Sequence, residues 1–208
     1  MNQILITKSY LLKRKFYKTF FKIELVLSMA IFVSCLIYTP YLLNSSKSQE
    51  RTSKLLLNTY NISKLYSSIN TIESLNNNIS PHIIGIISID KIHISYPIMS
   101  NVSDELLNTS ICRFFGPDAN KPGNLCMAGH NYGNGSFFSH INKLNIGDKI
   151  SIVDNNNFEI NYYVYEKYET SANDFSCTSQ DTFNIKEITL VTCNNINGNR
   201  IIIKAKER

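Results

Sequence analysis

The sequence lacks the spacing patterns that mark a structural zinc site or a repeat protein. It has five cysteines, and no two of them form a C-x-x-C pair: Cys35, Cys112, Cys126, Cys177 and Cys193. Structural zinc sites are built mainly from such closely spaced ligands, so the sequence does not support one. No segment repeats along the chain, so a solenoid or a propeller is not indicated either.

Acidic residues are missing from the first 22 residues. The formal net charge of +5 first suggests a nucleic-acid-binding protein. However, residues 1–22 carry six of the 21 lysine and arginine residues and none of the 16 acidic ones, so the rest of the chain sums to −1. A body without net positive charge has no general attraction for phosphates, and we expect no nucleic acid among its partners.

Charge is also absent from the nineteen residues Leu25–Leu43. This length is close to the ~20 residues with which a helix crosses a bilayer. Six cations precede the segment and only Lys47 and Arg51 follow it closely, so the positive-inside rule predicts a cytoplasmic N-terminus and an extracellular body. No small-x-small cleavage site follows, and we therefore favour a retained single-pass anchor in the cell membrane over a cleaved signal peptide.

These signals divide the chain into four predicted parts: a basic cytoplasmic tail (1–22), a transmembrane helix (23–43), an extracellular linker with a helical stem (44–80) and a β-rich domain (81–208). The linker is the polar run 44–50. From Leu55 to Leu75, apolar residues recur every three or four positions, which predicts a helix that ends at Asn76–Asn78. We expect part of this stem to dock on the β-rich domain, because several apolar side chains are costly to leave in water.

Short β-branched runs follow one another from Ile83 onward. Seven or eight such runs alternate with turn residues. Few helices are predicted between them: one capped by Ser103 and one over residues 136–141. This succession predicts a mainly β fold, either a closed barrel or a sandwich. We expect Cys112, Cys126 and Cys177 to be buried thiols in this fold. The alternative is a disulfide between Cys112 and either Cys126 or Cys177, which an extracellular location permits.

The run Thr189–Cys193 is an apolar strand that ends on a cysteine. An Asn- and Gly-rich stretch, 194–199, separates it from a second β-branched run that begins at Arg200. Asn and Gly tolerate the backbone of tight reversals, so the pattern predicts a hairpin with Cys193 and Arg200 close together. A guanidinium is a permanent cation, and a thiol in an electropositive place is a nucleophile.

Among the four histidines, His130 is the best candidate for an acid or base. It follows an apolar strand and lies in the Gly-flanked turn Gly129–Gly133, where rigid scaffolds present reactive groups. We interpret His82 and His93 as surface residues and His140 as a packing residue. Taken singly, Cys193 would be a buried thiol and Arg200 a solvated surface charge. Together with His130 they supply a nucleophile, an acid/base and a cation for an oxyanion.

This combination resembles the sortase family of Gram-positive cell-surface transpeptidases. Thr189–Cys193 matches the family signature T-L-x-T-C, Arg200 opens the next strand, and Ala128–His130 matches the catalytic histidine segment. The resemblance spans about Ile83 to Lys206. It implies a closed eight-stranded β-barrel in which Cys193 attacks the threonine carbonyl of an L-P-x-T-G-like sorting motif and forms a thioacyl enzyme. His130 would act as acid and then base, Arg200 would steady the oxyanion, and Thr192 is a secondary oxyanion candidate.

The resemblance also implies the partners. These would be surface proteins that carry a C-terminal sorting motif, and a cell-wall precursor or pilin amine as acceptor. Specificity would lie in the connection between Tyr168 and Ile185. A class A or class D enzyme is favoured, because that connection is short for class B and no apolar segment follows Arg200 as in class C, although the turn after His130 is reminiscent of class B. Calcium dependence occurs in the family, but no carboxylate cluster supports it here, and we predict no cofactor.

Two other functions stay open on the residues alone. A surface cysteine protease or hydrolase would use the same thioacyl intermediate and pass it to water. A non-enzymatic anchored β-barrel that binds peptides would leave Cys193 as a passive thiol.

Overall fold

The computed structural model describes the backbone of residues 2–69 and 83–208 and, within the first of these ranges, the side chains of 20–39 and 47–65. The chain divides into two compact units, 1–45 and 46–208. The predicted end of the stem helix at Asn76–Asn78 and the predicted surface residue His82 lie outside the described residues.

Helix α1 (Asn2–Ile69) supplies the described part of the first unit. It contains the exposed stretch Phe20–Thr39, whose 20 residues are long and apolar enough to cross a membrane by length and composition. Two hydroxyl groups within this stretch donate inside the helix: Ser28 to the carbonyl of Leu25 and Thr39 to that of Cys35, each at 2.9 Å. The stretch overlaps the predicted segment 23–43.

The structure differs from the prediction at residues 44–50, which are helical rather than a linker. No Gly or Pro interrupts this polar run. Its residues also make contacts with residues one helical turn further along: Lys54 Nζ lies 2.7 Å from Glu50 Oε1, and the Thr52 hydroxyl donates to the carbonyl of Ser48 at 3.1 Å. Polarity alone therefore did not end the helix, because polar residues without a breaker are compatible with it.

The second unit contains a closed β-barrel, as the sequence predicted. Its strands are β1 (Ile83–Ile89), β2 (Ile94–Met99), β3 (Ile111–Phe115), β4 (Gly123–Ala128), β5 (Lys149–Asp154), β6 (Glu159–Thr170), β7 (Lys186–Cys193) and β8 (Arg200–Glu207). Their order around the barrel is β1-β2-β3-β4-β7-β8-β6-β5. The β2–β3 and β4–β7 pairs are parallel, and the other neighbours are antiparallel.

The barrel interior is filled by aliphatic and aromatic side chains. Strand β1 illustrates how each strand contributes to this interior, because its buried positions alternate with half-buried ones along the whole strand. Ile87, Ile98 and Leu190, from three different strands, are fully buried in one cluster. Burying such a side chain stabilises the fold by roughly 1.5–3 kcal/mol, so the alternating pattern determines which face of each strand points inward.

One of the two predicted short helices is present. Helix α2 (Asp104–Leu107) begins after Ser103, whose Oγ accepts from the backbone N–H of Leu106 at 3.2 Å. The helix predicted over 136–141 is wrong, since only Ile141–Lys143 form a 3-10 turn. Phe137 has a φ of 49°, and Phe138 N–H donates to the carbonyl of His130 at 3.1 Å, so the segment pairs with the histidine turn instead.

His93 is exposed, as predicted, but it is not in a strand. It follows the 3-10 turn Asp90–Ile92 and has a φ of 55°, while β2 begins at Ile94. The turn needs a left-handed residue at its end, which the alternating pattern of the sequence does not indicate.

The part of α1 that belongs to the second unit docks on the barrel. Tyr60 is buried against Met99 and Cys112, and its hydroxyl donates to Asn155 Oδ1 at 2.5 Å. Lys64 Nζ donates to the carbonyl of Asp154 at 2.8 Å. Of the predicted apolar stripe, the members whose side chains the structure describes, Leu55, Ile62 and Leu65, are exposed and do not form the docking face.

Candidate active site

His130 and Cys193 come to the same edge of the barrel through parallel strand pairing. The last registered pair of β4 and β7 is Ala128 with Val191, and each of the two side chains lies two residues beyond it. The pairing continues past the strand ends, since Gly129 N–H donates to the carbonyl of Val191 at 3.2 Å. Parallel neighbours lie about 4.8 Å apart, so the register places the imidazole and the thiol at one site.

Cys193 and Arg200 are brought together by the predicted hairpin. They form the terminal pair of the antiparallel strands β7 and β8. Arg200 Nη1 donates to Cys193 Sγ at 3.2 Å and to the carbonyl of Gly198 at 3.3 Å. Both side chains are half-buried. A fixed cation thus lies against a sulfur that remains accessible, which suits nucleophilic attack and stabilisation of an oxyanion.

The turn between these strands is built by its own asparagines. Asn194 N–H donates to the carbonyl of Asn199 at 2.8 Å, and Gly198 N–H donates to that of Asn194 at 2.9 Å. Gly198 has a φ of 78°, a conformation that glycine adopts without strain. The Oδ1 atoms of Asn194 and Asn197 accept the N–H groups of Ile196 and Asn199. Such local bonds explain why this composition forms the turn.

Thr192 ties β7 to the histidine strand. Its side chain is only 3% exposed, and its hydroxyl donates to the carbonyl of Gly129 at 2.7 Å. A Cβ on Gly129 would lie 2.7 Å from Ile111 and 2.8 Å from Phe138, so the close approach requires glycine. A role for the Thr192 hydroxyl at an oxyanion would require it to leave this hydrogen bond.

The His130 ring is held by an aromatic neighbour. The rings of His130 and Tyr132 lie 5.0 Å apart at 37°. Tyr132 is itself fixed, because its N–H donates to Ser139 Oγ at 3.0 Å and its hydroxyl to Asn108 Oδ1 at 3.2 Å. Burial lowers the pKa of His130 from its ordinary value of 6.5, and the negative charge of Asp104 partly offsets this effect. His130 is therefore mainly neutral at pH 7 and can accept a proton.

Asn131 links the histidine turn to the cysteine strand. Its Nδ2 donates to the carbonyl of Cys193 at 2.8 Å, while its own carbonyl accepts from Asn195 Nδ2 at 2.8 Å. Sequence reasoning singled out neither Asn131 nor Tyr132. The available signal was their position directly after His130 in the Gly-flanked turn, where residues are free to make such contacts.

The other cysteines of the barrel are structural. Cys112, Cys126 and Cys177 are buried and free, so the possible disulfide is not present, and the expectation of buried thiols is confirmed. Burial raises the pKa of Cys112 and of Cys126 to about 12, and it also raises that of Cys177. Protonated, enclosed thiols are poor nucleophiles, which leaves Cys193 as the reactive candidate in the barrel.

The connection between β6 and β7 begins beside the candidate site, because Thr170 pairs with Arg200. Buried Asn124 anchors it, with Nδ2 donating to the carbonyls of Cys177 and Ser179 at 2.9 and 3.0 Å. The connection nevertheless exposes Phe175, at 67%, and Phe183, at 88%. Exposed aromatic side chains on an anchored connection are suited to contacting a ligand. Among the described residues, no group of three or more His, Cys, Asp or Glu side chains could hold a metal ion.

Comparison with known proteins assigns the domain that carries this site to a family. Residues 87–208 match the model of the sortase domain. The chain is 29% identical over 124 residues to sortase A of Bacillus anthracis, a match that covers 56% of this chain and 55% of that protein. The chain thus spans about half the length of the curated relative that it matches.

Solved structures agree with this assignment. A sortase D5 transpeptidase of Clostridium perfringens superposes with a TM-score of 0.58 and 28% identity, covering 77% of this chain and 98% of that one. The X-ray structure of Clostridium perfringens sortase C with the C-terminal cell wall sorting motif has the same fold at 19% identity and a TM-score of 0.55, covering 84% of this chain and 97% of that one. With the sortase-domain match over more than half of its residues, this chain belongs to the sortase family, whose members are cysteine transpeptidases.

Proposed function

We propose that this protein is a membrane-anchored transpeptidase that cleaves an L-P-x-T-G-like sorting motif between threonine and glycine and transfers the threonine to an amine. The observation that carries the proposal is the 3.2 Å contact of Arg200 Nη1 with Cys193 Sγ, at the edge that His130 shares. Nucleophile, cation and acid/base are the three groups that acyl transfer from an amide requires.

In the acylation step, the sulfur of Cys193 forms a bond to the threonine carbonyl carbon. The thiol proton passes to neutral His130, and the oxyanion is stabilised by the guanidinium of Arg200. When the C–N bond breaks, His130 donates the proton to the leaving amine of glycine, since an unprotonated amine is a poor leaving group. A thioacyl enzyme on Cys193 remains.

In the second step, an incoming amine attacks the thioester. His130 accepts a proton from that amine, and the proton returns to the sulfur as the new amide forms and Cys193 leaves. The lowered pKa of His130 suits this base role at neutral pH. Surface proteins with a sorting motif are the proposed donors, and a cell-wall precursor or pilin amine is the proposed acceptor.

The proposed site of motif recognition is the connection between Tyr168 and Ile185. Its exposed Phe175 and Phe183 offer apolar surface for the leucine and proline of a sorting motif. We also propose a class A or class D enzyme; the matched proteins include a sortase A and a sortase D5, and also a sortase C. We further propose that the N-terminus is cytoplasmic and the barrel extracellular, because the basic residues precede the apolar stretch of α1.

Intact-mass spectrometry tests the proposal. The protein is incubated with a library of L-P-x-T-G-type peptides, with and without triglycine as the amine. A thioacyl mass that maps to Cys193 and moves to triglycine supports transpeptidation, whereas an adduct that yields only free acid in the presence of triglycine indicates the hydrolase alternative. Absence of any adduct on folded protein would favour the peptide-binding barrel.

The variants His130→Ala and Arg200→Ala assign the other two roles. We expect each to lower the rate of thioacyl formation by about 100-fold or more. A near-normal rate in either variant would remove that residue from the mechanism.

A further inference from the structure

Glu169 forms hydrogen bonds with side chains of the turn that joins β7 to β8. It lies on β6, outside the three candidate catalytic residues, and its carboxylate accepts three amide hydrogen bonds. Its partners are Asn194 Nδ2 to Oε2 at 2.9 Å, Asn197 Nδ2 to Oε1 at 2.5 Å and Asn199 Nδ2 to Oε1 at 2.9 Å. Three of the four asparagines in the turn are therefore bound to one carboxylate.

The orientation of these amides is set by a second group of contacts. The Oδ1 atoms of Asn194 and Asn197 accept backbone N–H groups of the turn itself, at 3.0 and 3.1 Å. Their NH₂ groups must then point the other way, toward Glu169. The amide donors of the turn therefore converge on the carboxylate of Glu169. The cluster is accordingly a structural clasp for the turn.

This clasp, formed by Glu169 with Asn194, Asn197 and Asn199, lies directly beside Cys193 and Arg200. Asn194 follows Cys193, Asn199 precedes Arg200, and Glu169 itself pairs with Ile201 across the β6–β8 ladder. Holding Asn194 and Asn199 holds both ends of the turn, and these ends determine the separation of the thiol and the guanidinium. Hydrogen bonds to a charged acceptor are stronger than neutral ones, so a carboxylate is well suited to this task.

We propose that Glu169 is a positioning residue for transpeptidation, which fixes the β7–β8 turn so that Arg200 stays against Cys193. This inference rests on the proposed function. Glu169 acts through the turn, and its effect should fall on the chemical step more than on substrate binding.

A first experiment measures the turn without any substrate. Hydrogen exchange of peptides that cover residues 194–199 is compared in the wild-type chain, Glu169→Ala, Glu169→Gln and the control Glu166→Ala, whose exposed carboxylate lies on the same strand. We expect exchange in the turn to rise by about 10-fold in Glu169→Ala, to rise less in Glu169→Gln, which keeps one acceptor oxygen, and to stay unchanged in Glu166→Ala.

A second experiment measures turnover with a sorting-motif peptide that the wild-type enzyme cleaves, with triglycine as acceptor. We expect kcat to fall by about 10- to 100-fold in Glu169→Ala with KM changed less than about twofold, because misplacement of a catalytic group by about 1 Å can lower the rate by about 100-fold. In a double-mutant cycle with Arg200→Ala, the second substitution should add little, since both remove the same contribution. Glu169→Gln should recover part of kcat.

The outcomes separate the two proposals. If the wild-type chain forms no thioacyl enzyme with any sorting peptide, the transpeptidase proposal fails and the role of Glu169 fails with it. An active wild type whose Glu169→Ala variant matches Glu166→Ala in turn exchange or in kcat overturns the role of Glu169 alone. A double mutant whose loss in kcat equals the product of the two single-variant losses would also overturn it, because independent effects mean that Glu169 does not act through Arg200.

Discussion

Asn131 Nδ2 donates to the main-chain carbonyl of Cys193 at 2.8 Å, although 62 positions separate the two residues. This contact joins the turn that carries His130 to the strand that carries Cys193, the candidate nucleophile. Asn131 also accepts from Gly133 N–H through its Oδ1 atom at 3.1 Å. The Nδ2 atom of Asn131 therefore bonds to the cysteine strand and its Oδ1 atom bonds within the histidine turn. A substitution that changes only one of these atoms can test the two bonds separately.

Asn131→Asp should lower kcat/KM by about 10-fold with little change in thermal stability. An aspartate can still accept from Gly133 N–H but cannot donate to the carbonyl of Cys193, so only the link between the turn and the strand is lost. Peptide cleavage kinetics and thermal unfolding measure the two effects. Asn156→Asp, in the exposed β5–β6 turn, is the matched control and should behave as wild type. Equal activity of the two variants would contradict a role for this link.

Cysteine substitutions should separate the reactive thiol from a structural one. Cys193→Ala should abolish thioacyl formation and leave the melting temperature nearly unchanged, because its side chain is only half-buried at a strand end. Cys126→Ala should keep activity but lower the free energy of unfolding by about 1 kcal/mol, since it removes a fully buried sulfur atom. Intact mass and chemical denaturation provide the measurements. A thioacyl adduct that persists in Cys193→Ala would place the nucleophile elsewhere.

The lowered pKa of His130 should make stability depend on pH. In the window below 6.5, the unfolded histidine binds a proton that the folded one does not, so the free energy of unfolding should fall as the pH falls through 6.5 toward the folded pKa. His130→Gln should remove this part of the dependence, which denaturation curves between about pH 5 and 8 would detect. The remaining histidines contribute equally to both proteins and cancel in the difference.

The same site allows a direct electrostatic test. Asp104 raises the pKa of His130 against the larger effect of burial. Asp104→Asn should therefore lower the pKa of the His130 ring further, as followed by NMR titration of its proton signals. Glu105→Gln, the adjacent acid in helix α2, is the control. A pKa that rises or does not move in Asp104→Asn would rule out the proposed contribution of this carboxylate.

Docking of the stem should depend on Tyr60 and not on Leu55, an exposed member of the apolar stripe. Tyr60→Phe should lower the free energy of unfolding by about 1 kcal/mol through loss of its hydrogen bond to Asn155, and Tyr60→Ala by about 3 kcal/mol or more. Leu55→Ala, on the same helix, should have almost no effect because Leu55 is 65% exposed. Denaturant unfolding of the full chain in detergent micelles measures all three. Greater destabilisation by Leu55→Ala would assign the docking face to the stripe.

Local patterns in the sequence were enough to predict much of this protein. The hairpin that joins Cys193 to Arg200 depends on a turn of six residues, whose asparagines and glycine make their own hydrogen bonds. The apolar stretch of α1, the capped helix α2 and the alternating strands are likewise determined by neighbouring residues. The family resemblance rests on the same short segments, and it added the closed barrel that alternation alone left undecided between a barrel and a sandwich.

Long-range pairing decided the rest. The link of Asn131 to Cys193, the hydrogen bond of Tyr132 to Asn108 and the clasp of Glu169 join segments that are distant in the sequence, and composition does not reveal such contacts. The same reason explains the wrong prediction of a helix over 136–141, because Phe138 N–H donates to the carbonyl of His130, outside the segment. It also explains why the docking contact of Tyr60 with Met99 and Cys112 could not be identified from the sequence. The sequence by itself determined which residues are the candidates for the chemistry: His130, Cys193 and Arg200. Only the closure of the barrel decided what holds them in place, because those contacts join segments that meet only after folding.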